Sequence, residues 1–125
     1  MKEWLRLIRS FRFAWSGIVY TFRTQRNMQI HGWVTFIVLL LSWWLKIPRG
    51  DVLLVLFCIS LVLSLELVNT AIETVVDLVT SEWQEKAKIS KDVAAGAVLM
   101  SVVFAVIIGC CVFAKPLWEK ITLLM

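Results

Sequence analysis

Apolar positions recur in two different ways along this chain. Over residues 1–26, Trp4, Leu7, Ile8, Phe11, Trp15, Ile18 and Phe22 repeat at three- and four-residue spacing, so at about 100° per residue they share one stripe, with Lys2, Arg6 and Arg9 opposite. This predicts an amphipathic surface helix. Basic residues on one face with Trp and Phe on the other suit a helix lying on a membrane, where anionic headgroups attract Lys and Arg. Beyond residue 27 the pattern gives way to three long apolar segments, 28–47, 52–79 and 93–114, each able to cross about 30 Å of hydrocarbon. Lys46-Ile47-Pro48-Arg49-Gly50-Asp51 predicts a tight turn between the first two, and the charged stretch 80–92 predicts a loop. Pro116 is expected to end the third span. The fold class expected is an all-α integral membrane protein: one surface helix and three transmembrane helices in a single domain over 1–125.

Composition strengthens this picture. Of 125 residues, 60% are hydrophobic, against roughly 45–50% in ordinary soluble domains, and the mean hydropathy is +0.83. A chain this short cannot hide so much apolar surface behind its own polar shell, so the excess is expected to face lipid. Among the seven tryptophans, Trp33, Trp43, Trp44 and Trp118 fall near the ends of apolar runs, where amphipathic rings meet the interface. Cys58, Cys110 and Cys111 all lie within apolar stretches and read as small apolar residues rather than as a disulfide framework or metal cage. Arginines interrupt the first 26 residues throughout, so no signal peptide is expected there.

Charge then sets the orientation. With a cytoplasmic N-terminus, that side holds nine Lys and Arg (Lys2, Arg6, Arg9, Arg12, Arg23, Arg26, Lys86, Lys88, Lys91), and the far side holds Lys46, Arg49, Lys115 and Lys120. The excess predicts a cytoplasmic N-terminus and a cytoplasmic 80–92 loop. No nucleic-acid partner is expected.

Within the second span, Glu66, Asn69, Glu73 and Asp77 fall within about 80° of one another on a helical wheel and extend over roughly 16 Å. A carboxylate inside hydrocarbon is costly and belongs where it is paired, wetted or functional. Glu66, between Leu65 and Leu67, is the deepest and is placed to act as a general base toward a hydroxyl presented from the bilayer. Carboxylates and an amide also suit a hard divalent cation, and Mg²⁺ commonly takes one or two carboxylates together with substrate phosphates, which suggests a nucleotide. Lys91-Asp92, at the start of the third span, adds an ammonium for phosphate. Asp77, nearest the surface, has the weakest claim to chemistry. Gly17, Gly32, Gly50, Gly96 and Gly109 are isolated, so no Gly-rich phosphate loop is available.

The string Glu66-Leu67-Val68-Asn69-Thr70-Ala71-Ile72-Glu73-Thr74-Val75-Val76-Asp77 resembles the signature of the prokaryotic diacylglycerol kinase family. Lys91-Asp92-Val93-Ala94-Ala95-Gly96-Ala97-Val98 resembles its second block, and Asn27-Met28-Gln29-Ile30-His31 looks like the Gram-positive branch, whose members are mainly undecaprenol kinases. The resemblance implies a homotrimer in the bacterial cytoplasmic (inner) membrane. Active sites shared between subunits would transfer the γ-phosphoryl group of MgATP to undecaprenol, with diacylglycerol as the alternative acceptor.

By the same resemblance Glu66 is the base, supported by Asn69 and Asp92. Glu73 binds metal, and Arg6, Gln25, Glu73, Glu82, Trp83, Gln84, Lys91 and Asp92 contact the nucleotide. Trp15 and Glu66 contact the lipid. Where the family usually carries a metal-binding glutamate this chain has Gln25, one negative charge fewer. Two other classes are weaker. A proton-coupled transporter would place its site at the midplane on broken helices. A phosphatase would want a histidine or cysteine nucleophile at the interface, and His31 is the sole histidine.

Overall fold

The computed structural model describes residues 2–123, which form four helices in succession: α1 (Lys2–Thr24), α2 (Arg26–Leu45), α3 (Arg49–Val79) and α4 (Glu85–Thr122). Met1, with which the expected surface helix began, and the end of the expected domain at 124–125 lie outside the described residues. Three of the helices, α2 to α4, are long and apolar enough to cross a membrane.

The break between α1 and α2 is a single residue. Gln25 adopts an extended backbone (φ −101°, ψ 116°), so the first helix stops at Thr24. Hydrogen bonding nevertheless continues across the corner: the Gln25 amide donates to the Thr21 carbonyl at 2.9 Å, and the Gln29 side-chain amide donates to the Phe22 carbonyl at 3.0 Å. The second bond satisfies one of the carbonyls that a helix end leaves free. Thr21 and Met28 are buried inside this corner. Phe22 packs against Gly32, where an added Cβ would meet the ring edge at 2.9 Å, so only glycine allows this approach undisturbed.

At the opposite end, Lys46 closes α2 with a left-handed backbone (φ 52°), its amide bonding the Ser42 and Trp43 carbonyls. Pro48 then supplies the residue before α3. The charged stretch between α3 and α4 is shorter than the sequence pattern suggested. Only 80–84 is non-helical, because Glu85-Lys86-Ala87-Lys88 are strong helix formers without a breaker, and Glu85 favours the positive N-terminal end of the helix dipole. Nor does Pro116 end the helix, which continues to Thr122. A proline removes one bond from the helical ladder, and Leu117, packed against the apolar core, holds the next turn in place. At 38 residues α4 is about 57 Å long, more than the roughly 30 Å of hydrocarbon, and it projects beyond it.

The most extensive packing joins α3 to α4. Its two halves differ in chemistry. Near the α2–α3 turn, Ile47, Val55, Val112 and Phe113 form an apolar core. Toward the other end polar residues are buried as well: Glu66, Asn69, Thr70 and Ser101 lie alongside Ala94 and Val98. Outward-facing residues such as Phe57, Val93 and Phe104 stay exposed, and a single chain covers little of its apolar surface.

Candidate active site

Three cavities follow one another along the bundle. The helical pitch of α3 keeps Glu66, Asn69, Glu73 and Asp77 on one side, and the neighbouring helices divide that side into compartments.

The middle compartment, about 250 Å³, is polar on one wall. Asn27 and His31 of α2, Glu66 and Asn69 of α3, and Ala95 and Val98 of α4 line it. Glu66 is only 2% exposed, and its Oε2 has no hydrogen-bond partner. The Thr70 hydroxyl bonds the Glu66 backbone carbonyl, at 2.9 Å, and leaves the carboxylate alone. The Asn69 amide nitrogen donates to Glu73 Oε1 at 3.3 Å, while the Asn69 carbonyl oxygen is buried and unpartnered. Leaving a buried polar atom unmatched costs on the order of 1–3 kcal/mol, and these two orphaned oxygens belong to residues lining one cavity, where a ligand or a neighbouring copy could supply the missing bonds.

At the α3–α4 turn lies an open cleft of about 610 Å³, lined by Asp77, Glu82, Trp83, Gln84, Lys91 and Asp92 among others. The Thr80 hydroxyl organises its floor, accepting from the Glu82 amide at 3.1 Å and from the Gln84 side chain at 3.4 Å. Lys91 Nζ meets Asp77 Oδ1 at 2.5 Å across the turn. Trp83 stands 80% exposed at the rim. On the other side of the Glu66 compartment is an apolar cavity of about 210 Å³ between Val38, Val55, Val62 and Val106. His31 and Val102 line both.

The expected site residues therefore fall into groups. Glu66, Asn69 and Glu73 stand together, and Glu82, Trp83, Gln84, Lys91 and Asp92 share the cleft with Asp77. Asp92 lines the cleft, not the Glu66 compartment. Arg6 bonds Glu3 at 2.9 Å on α1, and Trp15 is exposed on the same helix. Gln25 sits at the α1–α2 corner, its side chain without a hydrogen bond among the described residues. Asn27 and His31 had not been assigned a role. Their signal was available: positions 27, 30 and 31 share one face of α2.

Chemically, an unpaired buried carboxylate can take a proton from a hydroxyl in the middle compartment. The Lys91 ammonium can pair with phosphate. Among the described residues no three His, Cys, Asp or Glu side chains gather into a metal cage. The free Asn69 carbonyl beside the Glu73 carboxylate nonetheless fits a hard cation that keeps most of its coordination for water and phosphate oxygens.

The family model of prokaryotic diacylglycerol kinase matches residues 12–113. The chain is 45% identical to a diacylglycerol kinase of Synechocystis sp. over 112 residues, covering 89% of this chain and 64% of that longer protein. It is 39% identical to an undecaprenol kinase of Bacillus subtilis over 112 residues, 90% of this chain and 91% of that one. A diacylglycerol kinase of Escherichia coli K12 is 29% identical over 105 residues, 84% of this chain and 86% of its own.

Proposed function

The chain belongs to the prokaryotic diacylglycerol kinase family, and on that footing we propose that it transfers the γ-phosphoryl group of ATP to undecaprenol or a related polyprenol. Diacylglycerol is the alternative acceptor, since relatives carry both names. The observation that carries the reading is the buried, unpartnered Glu66 carboxylate, set between an apolar cavity and a cleft with a lysine.

Glu66 takes the proton of the acceptor hydroxyl, whose oxygen forms a bond to the γ-phosphorus. The bond from that phosphorus to the bridging oxygen breaks, and ADP leaves with the electron pair. Lys91 pairs with the phosphates, and Trp83 offers a flat face to the base. Asp92, Glu82 and Gln84 complete the nucleotide cleft, and Asn69 holds the Glu73 carboxylate in place. Glu73 and the Asn69 carbonyl, with Gln25 as a further oxygen donor, would hold a magnesium ion, which would supply neutralisation of phosphate charge. The unbroken α3 and a polar row that reaches its end argue against a transporter.

α1 lies at the cytoplasmic face of the bacterial inner membrane, its arginines toward headgroups, and three copies assemble. That assembly gives Arg6, Trp15 and Gln25, which stand apart from Glu66 within one chain, a route to a neighbour's site. It also covers apolar surface that one chain leaves open. The test is purified protein in lipid with labelled ATP and undecaprenol, diacylglycerol or no acceptor. Label is expected in undecaprenol. Label in diacylglycerol alone would move the acceptor to the alternative, and label in neither lipid would refute the kinase.

A further inference from the structure

Glu66 does not meet the histidine across from it. His31, the chain's sole histidine, lines from α2 the same compartment that Glu66 lines from α3. Yet Glu66 Oε2 has no hydrogen-bond partner, and His31 makes no side-chain hydrogen bond among the described residues. Both residues line one cavity of about 250 Å³, which has room for more than a single water molecule. A carboxylate only accepts hydrogen bonds, an imidazole can donate, and a hydroxyl does both. A hydroxyl between them is matched on both sides.

We propose that His31 is the second half of the acceptor site, its ring N–H donating to the hydroxyl oxygen whose proton Glu66 takes. One lone pair of that oxygen is held by the imidazole, and the other stays free to attack phosphorus. His31 also stands at the neck between compartments. Together with Val102 it lines both the polar cavity and the apolar one, which is walled by Val38, Val55 and Val62. An alcohol whose oxygen sits between His31 and Glu66 therefore has its first carbons beside an apolar space. That is the chemistry of a long-chain alcohol rather than of a sugar or a water molecule. His31 fixes which atom points at Glu66, and orientation of this kind acts on turnover more than on nucleotide binding.

This inference rests on the lipid kinase reading, and the experiment separates the two. Initial rates are measured with labelled ATP and undecaprenol for the wild-type protein, His31→Gln and His31→Leu, all in the same lipid and checked for assembly by size exclusion. Leucine keeps bulk without a donor, and glutamine keeps a donor. The expected result is a kcat at least about tenfold lower for His31→Leu with the KM for ATP within about twofold, and His31→Gln within about threefold of wild type. Should His31→Leu fail to assemble, His31→Met takes its place with the same expectation. Wild-type activity with the apolar variant unimpaired, or with glutamine as damaging as leucine, overturns the role of His31. A wild-type protein that labels no lipid overturns the kinase reading and this inference with it.

Discussion

Replacing Asp77 with asparagine tests how the nucleotide cleft is held before ATP arrives. The Lys91 ammonium lies 2.5 Å from Asp77 Oδ1, with the two side chains 36% and 65% exposed. Coulomb's law at that separation gives about 1.7 kcal/mol in bulk water and about 7 kcal/mol at an effective dielectric of 20. Side-chain ordering and solvent screening offset most of it, and exposed pairs are worth about 0–1 kcal/mol in net terms. If phosphate oxygens take Lys91 over from Asp77, that net energy is given up on binding. Removing the carboxylate should then tighten ATP by roughly 0.5–1 kcal/mol, a two- to fivefold lower KM, with kcat little changed. The loss of a negative charge near the triphosphate acts in the same direction. Steady-state kinetics with ATP varied at saturating acceptor reads this out, and the advantage should shrink toward 1 M salt, where the Debye length is about 3 Å. A KM that rises in Asp77→Asn would refute the reasoning, because it would make Asp77 a support for Lys91 rather than its competitor.

Other substitutions probe separate parts of the account. Glu66→Leu removes an unmatched buried carboxylate, so it should raise thermal stability by about 1–3 kcal/mol while abolishing turnover; a lower melting temperature would mean the carboxylate has a structural partner. Gly32→Ala puts a methyl 2.9 Å from Phe22 and should cost about 1 kcal/mol, less than a buried overpacking because the exposed ring can swing away; unfolding at unchanged temperature would show that α1 docks elsewhere. Gln25→Glu restores a negative charge and should lower the Mg²⁺ concentration giving half-maximal rate; an unchanged requirement would remove position 25 from metal binding.

Hydropathy alone located the three spans, because their apolar residues have no other solvent to meet. The row on α3 was legible for a similar reason: a helical repeat fixes which residues share a face whatever surrounds them. What surrounds them was not legible. The pairing of Lys91 with Asp77 joins residues fourteen apart across a turn whose length the charge pattern overstated, since the helix formers at 85–88 carry α4 back toward α3. That contact gives Asp77, judged from depth alone to matter least, a direct hold on the lysine of the cleft. Likewise His31 read as an isolated histidine until α2 was seen to turn positions 27 and 31 toward Glu66. The continuation of α4 past Pro116 depends on packing that the sequence does not show, since Leu117 beyond the proline lies against the apolar core.

The central claim is that Glu66 serves as the base for the acceptor while a separate cleft holds the nucleotide. It is tested most directly by the turnover number of Glu66→Gln, which keeps the shape of the side chain and removes its basicity, at saturating ATP and undecaprenol. The expected kcat is about a hundredfold or more below wild type, with the KM for ATP within about twofold. Turnover within about threefold of wild type would contradict it.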